Sequence, residues 1–141
     1  MDFQKSIKTC LNKFADFKGR ASRSEYWYFH LFILLTYIIV IFLSFLHVSL
    51  GVVGGILILV MIIPIIAVTA RRLHDINKSG WMQLIALPTS ILAEFSKSSM
   101  GVSYLFSFVT LGLGIYLLFL YVTPGDKRDN KYGKNPLKKR R

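Results

Sequence analysis

YWYFHLFILLTYIIVIFLSFLHVSLGVVGGILILVMIIPIIAVTA, running from Tyr26 to Ala70, is 45 residues long and contains no Asp, Glu, Lys or Arg. As one α-helix it would measure about 67 Å at ~1.5 Å per residue, more than twice the roughly 30 Å hydrocarbon core of a bilayer. The stretch therefore reads as two spans joined by a tight turn. Its most polar point, His47-Val48-Ser49-Leu50-Gly51, is the place for that turn, which gives spans over Trp27–Leu46 and Leu50–Ala70.

Toward the C-terminus, Trp81–Phe95 is apolar but short, with Pro88 inside it and Glu94 near its end, and Val102–Val122 is a full-length apolar span. Charge decides how many crossings to expect. Six Lys and Arg precede Trp27, none lies between the first two spans, three fall in Arg71–Gly80, one is Lys97, and eight follow Val122. Four spans put 17 basic residues on one side and one on the other. Three spans would translocate the eight-charge tail, against the positive-inside rule. The expected fold is an all-α integral membrane protein with four transmembrane helices, near 27–46, 50–70, 81–95 and 102–122, the third short or re-entrant. Both termini are expected to be cytoplasmic.

Composition agrees. The chain has 141 residues, 53% of them hydrophobic, and a formal net charge of +11. That hydrophobicity exceeds what an ordinary soluble domain carries. The basic residues avoid the apolar stretches, so the charge points to anionic lipid on the cytoplasmic side rather than to specific nucleic-acid binding. One cysteine, Cys10, excludes an internal disulfide framework and any multi-cysteine metal site. No signal peptide is expected, because the first 25 residues are polar and no small-residue cleavage site follows the first apolar segment. Lipidation and retrieval signals are not expected either.

Three flanking segments complete the organisation. Within 1–21, Phe3, Ile7, Cys10, Phe14 and Phe17 recur at helical spacing beside Lys5, Lys8 and Lys13, a pattern that predicts an amphipathic interfacial helix closed by Gly19. Packing of that stripe on the cytoplasmic end of the bundle is the alternative. Ser22-Arg23-Ser24-Glu25 reads as a capping box for the first span, followed by the interface aromatics Tyr26, Trp27 and Tyr28. Ser79 is the expected cap of the third span. The segment 123–141 is a basic tail with too few apolar residues for a core, turned at Pro124-Gly125 and ending in a mobile Lys138-Lys139-Arg140-Arg141.

Three blocks carry a family resemblance. Phe17-Lys18-Gly19-Arg20-Ala21-Ser22-Arg23-Ser24-Glu25-Tyr26-Trp27 resembles the entry motif of the domain-of-unknown-function 805 family. Arg71-Arg72-Leu73-His74-Asp75 followed by Ser79-Gly80-Trp81 is similar to its central motif. Thr123-Pro124-Gly125-Asp126, Asn130-Lys131-Tyr132-Gly133 and Asn135-Pro136 are similar to its closing pattern. The blocks stand in family order and span nearly the whole chain. The resemblance implies a small bacterial inner-membrane protein and a fold type, and it supplies no activity, substrate or catalytic residue. The Pro88–Pro124 stretch is longer here than in compact members, so the resemblance leaves the span count to the charges.

All three blocks fall on the expected cytoplasmic side, where Arg20, Arg23, Glu25, Arg71, Arg72, His74 and Asp75 can meet. The first reading is an ion-pair cluster that locks the hairpin, with Glu25 opposite Arg71 or Arg72, because interfacial charges need partners. The second makes the arginines a site for lipid phosphate or another anion through bidentate geometry. Use of His74 and Asp75 as a base and its orienter ranks third, since adjacent helical residues point about 100° apart. No catalytic residue is assigned and the chain is not expected to be an enzyme.

His30, His47 and His74 form no pair at metal-ligand spacing, so neither a metal nor a cofactor is expected. Transport would need polar groups at the midplane, where the spans offer Thr36, Ser44, Ser107 and Thr110. Gly51 and Gly55 form a small-xxx-small pair for close helix packing within the chain, or alternatively for a homodimer seam. The expectation is a non-enzymatic binding or assembly component of the inner membrane. A subunit of a small oligomeric transporter or channel is the rival, and an enzyme acting on lipid headgroups comes third.

Overall fold

A computed structural model describes residues 2–97 and 99–138, and the end of the basic tail, Lys139-Arg140-Arg141, lies outside the described residues. Among the described residues five α-helices and one short 3-10 helix follow in order: α1 Phe3–Asn12, α2 Arg23–Leu46, α3 Val48–Asp75, the 3-10 helix Gly80–Leu84, α4 Leu87–Phe95 and α5 Met100–Val122. Among the described residues, α2, α3 and α5 are long and apolar enough to cross a membrane.

α2 begins where its cap stands. The extended Ser22 accepts a hydrogen bond from the Glu25 amide through its side-chain oxygen, at 3.2 Å. The turn after α2 is a single extended residue, His47, whose ring Nδ1 accepts from the Ser49 amide at 3.3 Å. α2 and α3 therefore pack as a tight hairpin.

Small residues set how close the two helices come, but not the pair expected. A Cβ on Gly51 would stand 2.7 Å from Ser44 Cβ, and one on Gly54 would stand 2.5 Å from Val40 Cγ1, whereas one on Gly55 would meet nothing within 4 Å. The close approach in the chain is made by Gly51 and Gly54, three apart, because α3 is rotated to bury Gly54.

α3 continues past the expected end at Ala70 to Asp75. Its 28 residues span about 42 Å, so its last turns rise beyond the hydrocarbon and carry Arg71, Arg72, His74 and Asp75 in helical register.

The third expected span is broken. Its first part is the 3-10 helix, capped by Ser79 through a 3.4 Å contact from the Trp81 amide. Pro88 lacks an amide hydrogen and starts a new helix in its first turn. α4 has nine residues and at ~1.5 Å per residue is too short to cross a bilayer. It packs on α5 in antiparallel fashion, with the Thr89 and Thr110 hydroxyls 2.8 Å apart and Ser103 Oγ donating to the Ala93 carbonyl at 3.1 Å.

α1 ends at Asn12, so Phe14 and Phe17 of the expected stripe lie beyond it, and Phe17 is exposed. Gly19 does take a positive φ of 83°, but within the linker to α2 rather than as a helix closure. The linker is held instead by the Ala21 amide donating to the Arg71 carbonyl at 3.0 Å. α1 lies across α2 with Ser6 and Cys10 buried and Phe3 edge-on to Tyr28.

The core sits at one end. Cys10, Ala21, Tyr26, Phe29 and Val68 form one buried cluster, and Leu73, Leu117 and Leu120 form a second. Toward the other end apolar side chains face outward, with Phe42 65% and Phe108 71% exposed. That is the surface a lipid solvent requires and water would not tolerate.

Candidate functional site

The buried end of the bundle is polar at its centre. α2 brings Glu25 in its first turn, α3 brings Arg71, Arg72 and Asp75 in its last, and the linker before α2 brings Arg20. All five are buried, with Arg71 and Arg72 completely so.

Asp75 is the hub. Its Oδ1 accepts from Arg20 Nε at 2.9 Å and its Oδ2 from Arg72 Nη1 at 2.6 Å. The two guanidiniums then reach the chain that follows α5. Arg72 Nε donates to the Tyr121 carbonyl at 3.1 Å, and its Nη2 donates to the Thr123 carbonyl. Arg20 donates to the carbonyls of Asp126 at 2.5 Å and Arg128 at 2.8 Å. These carbonyls include the last ones of α5, which the helix itself cannot satisfy. The C-terminal end of α5 thus lies against the C-terminal end of α3.

Glu25 pairs with the other arginine, its Oε1 3.4 Å from Arg71 Nη2. Cys10 completes this second group: its thiol donates toward the same Glu25 oxygen at 3.8 Å, and Arg71 Nη2 lies 4.0 Å from its sulfur. Burial, then the neighbouring Glu25 carboxylate, push the Cys10 thiol up to about 12. Among the described residues Arg71 Nε and Nη1 have no hydrogen-bond partner. That leaves Arg71 dependent on Glu25 for neutralisation.

The tail docks by fit as well as by charge. A Cβ on Gly125 would fall 1.9 Å from Asp75 Oδ2, so only glycine lets the backbone pass there. The Asp126 amide then donates to the Asp75 carbonyl at 2.8 Å. Asn130 donates to the His74 carbonyl at 2.9 Å, and Tyr132 stacks flat on the His74 ring with centroids 3.9 Å apart. His74 Nδ1 lies 3.1 Å from the Gly19 carbonyl. His74 and Asp75 accordingly face different partners and form no base–orienter couple.

Of the seven residues singled out in sequence, six are buried or half-buried in this network. Arg23 stays exposed at its edge, with a 3.5 Å contact to the Val122 carbonyl. Sequence reasoning did not connect Cys10, Gly125, Asn130 or Tyr132 with the cluster. The glycine and the Asn-x-Tyr-Gly run were visible as motif residues, but their partners lie 50 or more positions earlier. Among the described residues, no three His, Cys, Asp or Glu side chains are placed to hold a metal.

The three motif blocks thus meet in one network. The chain is 29% identical over 131 residues to the inner membrane protein YhaI of Escherichia coli K12, covering 89% of this chain and 90% of YhaI. YhaI of strain O157:H7 matches to the same extent. Inner membrane protein YhaH of strain K12 is 35% identical over 85 residues, 55% of this chain and 68% of YhaH. No solved structure matches. The family described as protein of unknown function DUF805 matches residues 14–134, which include Arg20, Glu25, Arg71, Arg72, Asp75 and the docked tail, and the chain belongs to that family.

Proposed function

We propose that the chain is a bacterial inner-membrane protein with four passages through the bilayer and both termini cytoplasmic, acting as a non-enzymatic binding or assembly component whose basic face meets anionic lipid. One observation carries the reading. The buried arginines Arg20, Arg71 and Arg72 are engaged by Asp75, Glu25 and backbone carbonyls, which leaves them to hold the end together. The charges turned outward around them, Lys18, Lys78, Lys127, Arg128, Lys131 and Lys134, are exposed. A buried internal lock under an exposed cationic surface suits attraction to an anionic leaflet. It does not resemble a site built to move protons between paired acid and base.

The same end supports the four-passage reading. α2 starts there, α3 and α5 finish there, and the broken segment 80–95 supplies the return as a helix pair with α5. A reporter fused after Arg141 is expected to be cytoplasmic and one inserted at Ser49 external; an external C-terminus overturns the four-passage reading. Purification in mild detergent with lipid extraction is expected to find anionic phospholipid enriched over its share of the membrane. Equal shares would overturn the lipid-facing role.

A further inference from the structure

Arg23 separates from its neighbours in a way that gives it a different task. Arg20, Arg71 and Arg72 point into the bundle, whereas Arg23 opens onto a groove of about 370 Å³ that it lines with Ser24, Trp27, Tyr28 and Val122. Its guanidinium is tethered by the 3.5 Å contact to the Val122 carbonyl. A guanidinium has five donors in a planar fork, a shape that matches a phosphodiester in bidentate fashion. The groove is also lined by the aromatic rings of Trp27 and Tyr28, both exposed and of the type that sits at a membrane interface.

We propose that this groove binds the headgroup phosphate of an anionic phospholipid whose acyl chain lies along α2. The proposal rests on the lipid-facing reading of the basic end and names the place and the chemistry. The acyl chain follows from spacing: Arg23 and Trp27 are four apart, and Leu31, Leu34 and Ile38 continue the same face, all exposed. A headgroup at Arg23 and a hydrocarbon chain beside Ile38 are the two ends of one molecule, which a free phosphate would not use. Net negative charge is favoured by what adjoins. Arg23 also lines a second groove of about 190 Å³, which Lys127 shares. Of the two acids there, Asp75 is already held by Arg20 and Arg72, which leaves the Asp126 carboxylate against two cations, Arg23 and Lys127.

The test uses the full chain in nanodiscs of equal phosphatidylglycerol and phosphatidylcholine, followed by transfer to neutral detergent and native mass spectrometry of retained lipid. Wild type is expected to retain phosphatidylglycerol. Arg23→Gln should lower that retention about tenfold, and Arg23→Lys should fall between, because a lysine keeps the charge without the bidentate fork. Lys97→Gln, at the far end of the chain's α4–α5 hairpin, should leave retention unchanged. Inorganic phosphate should not displace the lipid. Retention by Arg23→Gln equal to wild type overturns the groove, as does displacement by phosphate. If Arg23→Gln melts early, the comparison of Arg23→Lys with wild type decides, and equal retention there counts against the proposal. Failure of wild type to prefer phosphatidylglycerol at all would remove the broader lipid-facing reading. A preference that survives in both Arg23 variants would remove the groove alone.

Discussion

Replacing Asp75 by Asn tests the lock at its hub. The carboxylate is about 5% exposed and neutralises two guanidiniums that are themselves buried, with contacts of 2.9 Å to Arg20 and 2.6 Å to Arg72. Asn keeps the size and one acceptor, but it removes the charge and turns an NH2 toward a donor. Removing one partner of a buried ion pair costs about 3–5 kcal/mol, since the remaining charge stays desolvated. The carbonyls of Tyr121, Thr123, Asp126 and Arg128 still accept from the two arginines, so the lower end, about 3 kcal/mol, is expected. For a chain of this size that corresponds to a melting temperature lower by about 10 °C. The assay is thermal unfolding in neutral detergent, with Arg23→Ala as an exposed reference that should change stability by less than about 0.5 kcal/mol. Combining Asp75→Asn with Arg20→Gln should be less than additive, with a coupling of about 0.5–3 kcal/mol. Melting of Asp75→Asn within about 2 °C of wild type would refute the idea that this pairing holds the end together.

Two further outcomes follow from the packing. Cys10, with its thiol held up at about 12 against a usual value of 9.0, should react with maleimide at pH 8 roughly a thousandfold more slowly in the folded protein than after denaturation. The raised pKa means the protonated thiol is the form the fold stabilises, so that contribution is complete below about pH 9 and is lost as pH rises toward about 12; rapid labelling of folded protein at pH 8 would count against the burial. Gly54→Ala, whose new Cβ would stand 2.5 Å from Val40, should destabilise the hairpin by about 1–3 kcal/mol. Gly55→Ala, which meets nothing, should be neutral or stabilising by up to about 1 kcal/mol through helix propensity, and equal melting of the two variants would contradict the observed helix rotation.

The sequence by itself determined what depends on near neighbours and on the solvent. The uncharged Tyr26–Ala70 run had to be two helices, because no bilayer accommodates its length in one. Ser22 had to stand at the start of α2, because a cap acts within one turn. The short, proline-interrupted Trp81–Phe95 segment already announced an irregular helix there, and Pro88, which lacks an amide hydrogen, stands in the first turn of α4 where the segment splits from the 3-10 turn. The gathering of charged motif blocks at one end was legible from hydropathy, since buried charges away from water need one another. Tertiary structure alone decided which acid meets which arginine. Asp75 and Glu25 differ in partner because α3 presents Arg72 and Arg71 on different sides, and rotation about a helix axis is set by packing such as Gly54 against Val40. It also decided that the tail is docked rather than loose: its polar composition offers no core, but Gly125 admits the backbone to Asp75, and Arg20, more than 100 residues earlier, donates hydrogen bonds to its carbonyls. Arg23 and Arg20 look alike in the sequence, three positions apart before the same helix. Only the fold turns one into the lock and leaves the other exposed, because the cap at Ser22 fixes where the helix begins and therefore the direction in which each side chain leaves it.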